Sequence, residues 1–92
     1  MTKKRDHMEV IHDILVVLRD KRGEVKPTHI LYKSNLSSQM LKDYLEELLQ
    51  KGMISETKTE KGRYRYGITD KGYSFLRDYR MIRAFTESYG LD

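Results

Sequence analysis

The chain has no cysteine, so disulfides, a cysteine nucleophile and thiolate metal ligation are all excluded. That absence also leans mildly toward a reducing, cytosolic setting. No apolar run approaches the roughly 20 residues of a membrane span. The first seven residues, Met1 to His7, are mostly polar or charged and lack the apolar core of a signal peptide. A soluble, intracellular protein is expected. There is neither a glycine-rich phosphate loop nor a nucleophile with a base at a recognisable spacing, so no enzymatic activity and no cofactor is expected. The three histidines, His7, His12 and His29, form no ligand pattern, because His7 and His12 are five apart and miss the one-face spacing of a helix. No metal site is expected. Nor is there an internal repeat, a low-complexity tract or a linker.

What remains is short and heavily charged. Ninety-two residues leave room for one small domain, and 38% hydrophobic against 35% charged residues implies a modest core under much charged surface. A chain of this size buries only about 60 to 65% of the surface it exposes when unfolded, so a second subunit would help it. Eighteen Lys and Arg against 14 Asp and Glu give a net charge of +4. The resulting pI near 9.3 favours a polyanionic partner.

Periodicity divides the chain into elements. From Asp6 to Arg22, Ile11, Ile14, Leu15 and Leu18 recur at helical spacing, with Val10 and Val17 on a second apolar edge open to a partner surface. Gly23 ends that helix, and Pro27 or Thr28 opens a short one through about Lys33. Ser37 is a fitting N-cap for a third helix whose apolar positions are Met40, Leu41, Tyr44, Leu45, Leu48 and Leu49, stopped by Gly52. Residues 53–58 and 63–68 then form a hairpin, the second strand alternating strictly so that Tyr64, Tyr66 and Ile68 face the core and Arg63 and Arg65 face solvent. Thr69 or Asp70 caps a last helix running to about Tyr89. The fold class is α+β, mostly α, and the element order is that of a winged helix-turn-helix. Residues 1–68 would form the DNA-binding domain and residues 69–92 a dimerisation helix.

Two stretches carry a resemblance. Leu36-Ser37-Ser38-Gln39-Met40-Leu41, continuing through Leu45, Leu48 and Gly52-Met53-Ile54, resembles the recognition helix and first wing strand of many prokaryotic winged-helix regulators. Tyr66-Gly67-Ile68-Thr69-Asp70-Lys71-Gly72 is similar to the second wing strand and the start of the C-terminal helix in the same families. More narrowly, the basic N-terminus, the His29-Ile30-Leu31-Tyr32 helix, the Asn35-Leu36-Ser37 turn and the long last helix resemble the small dimeric winged-helix DNA-binding proteins of Sulfolobus-type archaea. That resemblance implies a chromatin-associated or regulatory role and a dimer joined by an antiparallel coiled coil of the C-terminal helices.

Candidate contacts follow from the element order. Ser37, Ser38, Gln39 and Lys42 sit on the first turns of the third helix, where a recognition helix presents side chains to base edges and phosphates, and Gln39 can pair bidentately with adenine. Residues 35–52 hold two cations and three carboxylates, a net of minus one, so only those first turns should meet DNA. The wing contributes Lys58, Lys61, Arg63 and Arg65 against Glu56 and Glu60, a net of plus two on a hairpin that can reach phosphates or an adjacent groove. Lys3, Lys4 and Arg5 are candidates for a phosphate-contacting arm. In the last helix Phe75, Tyr79, Ile82, Thr86 and Tyr89 are spaced as a coiled-coil seam, with Leu76 and Phe85 beside it. Phe75, Tyr79, Ile82, Phe85 and Tyr89 are the expected dimer contacts. The expected partners are double-stranded DNA and a second copy of the chain, with no membrane and no evident small-molecule ligand, in the cytoplasm at the nucleoid. A winged helix serving only as a protein-interaction module is the alternative, suited to the acidic second half of the third helix.

Overall fold

The computed structural model describes residues 5–91. Its elements run α1 (His7–Lys21), α2 (Pro27–Ser34), α3 (Ser38–Gln50), β1 (Ile54–Lys58), β2 (Tyr64–Ile68) and α4 (Asp70–Ser88). Three polar caps set most of the helix starts. Asp6 accepts the Glu9 amide at 2.8 Å ahead of α1, Ser37 accepts the Met40 amide at 3.2 Å ahead of α3, and Thr69 accepts the Gly72 amide at 3.2 Å ahead of α4. Helix α2 has no side-chain cap and opens with Pro27 in its first turn, where a missing amide costs nothing. It ends at Asn35, whose φ of 54° lies in the left-handed region that asparagine tolerates.

Helix α1 is the centre of the molecule, packed against α2, α4 and β2. Val10, Ile11, Ile14, Leu15 and Leu18 all turn inward to meet Val25, Ile30, Leu41, Leu45, Leu48, Ile54, Tyr66 and Leu76. Because α1 is covered by two helices and a strand, one apolar stripe is not enough. Val10 is therefore core, and Val17 is half-buried against it, rather than the two forming an edge left free for a partner. Met40 departs from expectation in the other direction: it belongs to the helical apolar pattern of α3 yet is exposed, lying one position before the core begins at Leu41.

The two strands pair antiparallel with Ile54 opposite Ile68, Glu56 opposite Tyr66 and Lys58 opposite Tyr64. Thr59 organises the turn, accepting the Gly62 amide on its carbonyl at 2.9 Å and the Arg63 amide on its side chain at 3.1 Å. Gly62, at φ 77°, takes the left-handed position there. A third segment joins the sheet at one residue: Val25 exchanges both backbone hydrogen bonds with Tyr66, at 2.7 and 2.9 Å. Tyr66 is buried as expected. Tyr64 is not; it stays 45% exposed, because the strand runs past the end of the core toward the hairpin tip.

Helix α4 is pinned at its start. The Thr69 amide and hydroxyl donate to the carbonyls of Met53 and Gly52, at 3.1 and 2.6 Å. Gly72 lies so close to the Met53 carbonyl and the Ile68 side chain that a Cβ there would collide with both. Leu76 completes the core and Phe75 packs beside it, whereas Ile82 and Phe85 are 52% and 61% exposed.

Candidate nucleic-acid interface

The first turns of α3 present Ser38, Gln39 and Lys42 to solvent. Ser37 is exposed as well, but its Oγ is engaged as the helix cap and only its hydrogen is free for a further partner. The Gln39 side-chain amide donates to Asp43 Oδ1 at 3.0 Å, one turn along the same face. Reading a base edge would require it to let go of that carboxylate. Farther along, Glu47 accepts from Lys51 at 2.7 Å and pairs with His7 of α1 at 2.9 Å. The Lys51 hydrogen bond holds the Glu47 carboxyl below its ordinary range, partly opposed by burial and helped by His7.

The pleat sorts the wing cations onto two faces. Glu56, Lys58, Tyr64 and Tyr66 share the face that looks toward α3, with the Lys58 ammonium 5.7 Å from the centre of the Tyr64 ring. Thr57 and Arg65 share the opposite face, where Thr57 donates to Glu24 Oε2 at 2.8 Å. Arg65 is half-buried rather than freely solvated, and donates to the Tyr64 carbonyl at 2.9 Å. Lys61 and Arg63 occupy the turn and are exposed. Ser38 and Lys42 thus share one groove with Tyr64 and Glu56, while Arg65 stands on the far side of the sheet beside Lys21, Lys26, Thr28 and Tyr32.

Those last residues extend the basic surface beyond the positions that the sequence singles out. Tyr32 is 81% exposed near the end of a short helix that begins at Lys26 and Pro27. The spacing of Lys26, His29 and Lys33, three and four apart, is the signal that could have found this surface. Arg5, a candidate for a phosphate-contacting arm, is instead tied down. Its guanidinium bonds to Asp13 Oδ2 at 2.9 Å and to the carbonyls of Ser34 and Asn35 at 2.9 and 3.2 Å, a cation set on the carbonyl end of α2. Lys3 and Lys4 lie outside the described residues.

Of the seam residues in α4, Phe75 and Tyr79 are half-buried and stack at 5.8 Å, and Ile82, Phe85 and Tyr89 are exposed. Burial raises the Tyr79 hydroxyl above its ordinary range, with the Glu9 carboxylate adding to it. Among the described residues no three His, Asp or Glu side chains gather as metal ligands, and no helix is long and apolar enough to cross a membrane.

Comparison with solved structures returns the same architecture. The chain overlays the DNA-binding protein Sso10a-2 of Sulfolobus solfataricus with a TM-score of 0.76 and 24% identity, covering 94% of this chain and 90% of that one. It overlays MepR, a transcription regulator of the multidrug efflux pump MepA in Staphylococcus aureus, at 0.72 and 15% identity, covering 87% of this chain and 59% of that one. A MepR mutant bound to an oligodeoxyribonucleotide matches at 0.73 and 16% identity, with 87% and 60% covered. This chain therefore spans about three fifths of MepR and nearly all of Sso10a-2. Comparison with curated proteins gives no significant match. The winged helix-turn-helix family profile matches residues 4–87. With four helices, a two-stranded wing and a family match over nearly its whole length, the chain belongs to the winged helix-turn-helix family.

Proposed function

We propose that this chain binds double-stranded DNA as a homodimer and acts as a transcriptional regulator or chromatin-associated protein. The observation that carries the reading is the shared groove: the exposed first turns of α3 and the wing border the same cleft, as a recognition helix and its flanking hairpin must if both are to reach one duplex. Ser38, Gln39 and Lys42 then enter the major groove, and Ser37 sets the helix start. Lys58, Lys61 and Arg63 reach the adjacent backbone or minor groove. Arg65 and Lys26 extend the phosphate contacts around the far side of the wing. Residues 1–68 are the DNA-contacting unit and residues 69–92 carry assembly through Ile82, Phe85 and Tyr89, with Phe75 and Tyr79 anchoring the helix. The DNA-binding names of Sso10a-2 and of the oligodeoxyribonucleotide-bound MepR mutant support this reading. No catalytic step is assigned, and the place of action is the cytoplasm, at the nucleoid.

Fluorescence anisotropy of a labelled duplex, titrated with protein over a salt series, tests it. Binding should weaken with a log-log slope of about −0.9 per phosphate neutralised. A protein-interaction module, which the carboxylates Glu46 and Glu47 on the second half of α3 would suit, leaves duplex anisotropy unchanged at physiological salt.

A further inference from the structure

The groove between α2, α3 and the wing has a lining at odds with a surface built only for DNA. Its volume is about 620 Å³, within the range of small-molecule sites. Leu31, Leu41, Leu45 and Leu49 form an apolar floor, and the rings of Tyr64 and Tyr66 form the wing-side wall. Two carboxylates stand at its edge, Glu46 from α3 and Glu56 from β1, against one cation, Lys42. Neither carboxylate makes an ion pair among the described residues, although Lys42 lies one helical turn from Glu46. Glu56 accepts the Tyr66 hydroxyl at 2.8 Å, which fixes that carboxylate beside an aromatic ring.

The chain as a whole carries a charge of +4, so a groove in which carboxylates outnumber cations runs against the general field of the molecule. A phosphate backbone is repelled there. An anionic ligand is repelled for the same reason. A cation is drawn in, and the tyrosine faces and the leucine floor favour one that carries apolar or aromatic substance. The groove has twelve lining residues, where a specific protein partner needs about 20 to 30 a side, so its dimensions fit a small molecule better than a helix of another chain.

We propose that this groove binds a small organic cation with an apolar body, and that such an occupant and DNA exclude one another at Ser38 and Lys42. Both residues line the groove and both belong to the exposed start of α3, so the ligand acts as a release signal. The release clause rests on the proposed DNA contact of α3; the binding clause does not.

The test uses tetraphenylphosphonium as the probe and tetraphenylborate, nearly the same shape with the charge reversed, as the control. Isothermal titration of the full chain should give one saturable phosphonium site, and amide resonances of Leu41, Leu45 and Tyr64 should shift with the same midpoint. Glu46→Gln combined with Glu56→Gln should weaken phosphonium binding about tenfold or more, as loss of two nearby opposite charges in a partly desolvated groove requires. The parent should release a labelled duplex as phosphonium is added, and the double variant should hold it. Absence of saturable binding up to millimolar phosphonium overturns the site, as does equal affinity in the double variant, or displacement of phosphonium by the borate. Groove resonances that shift with protein concentration alone, and cease to do so in Ile82→Glu, would place a second copy there and overturn it too. Saturable phosphonium binding with unchanged duplex affinity overturns the release clause. Failure to bind a duplex before any cation is added overturns the DNA reading separately.

Discussion

His12 of α1 stacks on Tyr79 of α4 with ring centroids 4.7 Å apart and an interplanar angle of 29°. This contact marks the last aromatic tie between α4 and the body of the domain. Before it, Leu76 is in the core and Phe75 rests against it; after it, Met81, Ile82, Phe85 and Tyr89 are all more than half exposed. The Phe85 and Tyr89 rings lie against each other, with centroids 5.1 Å apart. A stripe of large side chains left in water on one helix face invites a covering surface.

Each of those side chains contributes roughly 1.5 to 3 kcal/mol when buried, enough in combination to hold two subunits. Ile82→Glu combined with Phe85→Glu should therefore convert a dimer into a monomer by analytical ultracentrifugation while the far-ultraviolet circular dichroism keeps its helical shape. Duplex binding should weaken, because a two-fold protein loses its second half-site. A parent protein that already sediments as a monomer at tens of micromolar would falsify the assembly.

The wing gives a salt-dependent prediction. Arg63 is exposed in the turn and Arg65 lies on the face that carries Thr57 and Glu24, so the two approach the duplex from different sides of the sheet. Arg63→Ala together with Arg65→Ala should weaken binding to every duplex alike and flatten the log-log salt slope by about 0.9 for each phosphate that is no longer neutralised. An unchanged slope removes the wing from the interface. A slope that flattens no further in the double variant than in Arg63→Ala alone would assign Arg65 to holding the Tyr64 carbonyl.

Caps and periods make most of the fold legible in the sequence. Ser37, Thr69 and Pro27 announce helix starts through local chemistry, and the spacing of Leu41, Leu45 and Leu48 declares a buried face. Alternation likewise assigns the faces of β2 correctly, but it says which way a side chain points and not how far the core extends, so it puts Tyr64 inside a core that stops short of it. The single-residue pairing of Val25 with Tyr66 has no period and leaves no trace in the sequence. Tertiary placement also decides the fate of Arg5, whose charge is visible in the sequence while the carbonyls of Ser34 and Asn35 that receive it are 29 and 30 positions away. The groove is illegible for the same reason, since its lining comes from α2, α3 and the wing, each of which reads as ordinary amphipathic structure.

Base readout can be assigned to one side chain. Gln39→Ala should reduce discrimination at a single base pair by about 1 to 3 kcal/mol in competition anisotropy against a set of singly altered duplexes. The variant also frees Asp43, to which the Gln39 amide is bonded, so Asp43→Asn serves as its partner control and should tighten binding modestly to all sequences. Equal loss across unrelated duplexes in Gln39→Ala would move that residue from base edge to backbone.

Ser34 offers a stability test independent of DNA. Its side chain is buried and its hydroxyl has no hydrogen-bond partner among the described residues, while its carbonyl is the atom that receives Arg5. Replacing it by Ala removes an unpaired polar atom at small cost in volume and leaves the Arg5 tie in place. Ser34→Ala should stabilise the chain by about 1 kcal/mol in urea unfolding, with an unchanged dependence on denaturant. A destabilised variant would mean that the hydroxyl is satisfied in solution.

Acid should act on the tie between α1 and α3. Glu47 is held below its ordinary value of 4.5, chiefly by the Lys51 hydrogen bond, and the same carboxylate bonds to His7 across the helices. A carboxyl whose value is lowered by folding binds its proton more tightly in the unfolded chain. Its contribution is thus fully present above the ordinary value and disappears as the pH falls through the lower, folded one. The pair is partly exposed and screened, so the contribution is modest. Glu47→Gln should be less stable than the parent by about 0.5 to 1 kcal/mol near neutral pH. The gap should close as both proteins are taken down to about pH 3, below which the parent carboxyl is itself neutral. Urea midpoints measured side by side across that range decide the matter: a gap that stays constant, or widens with acid, would show that Glu47 acts through packing rather than through its charge.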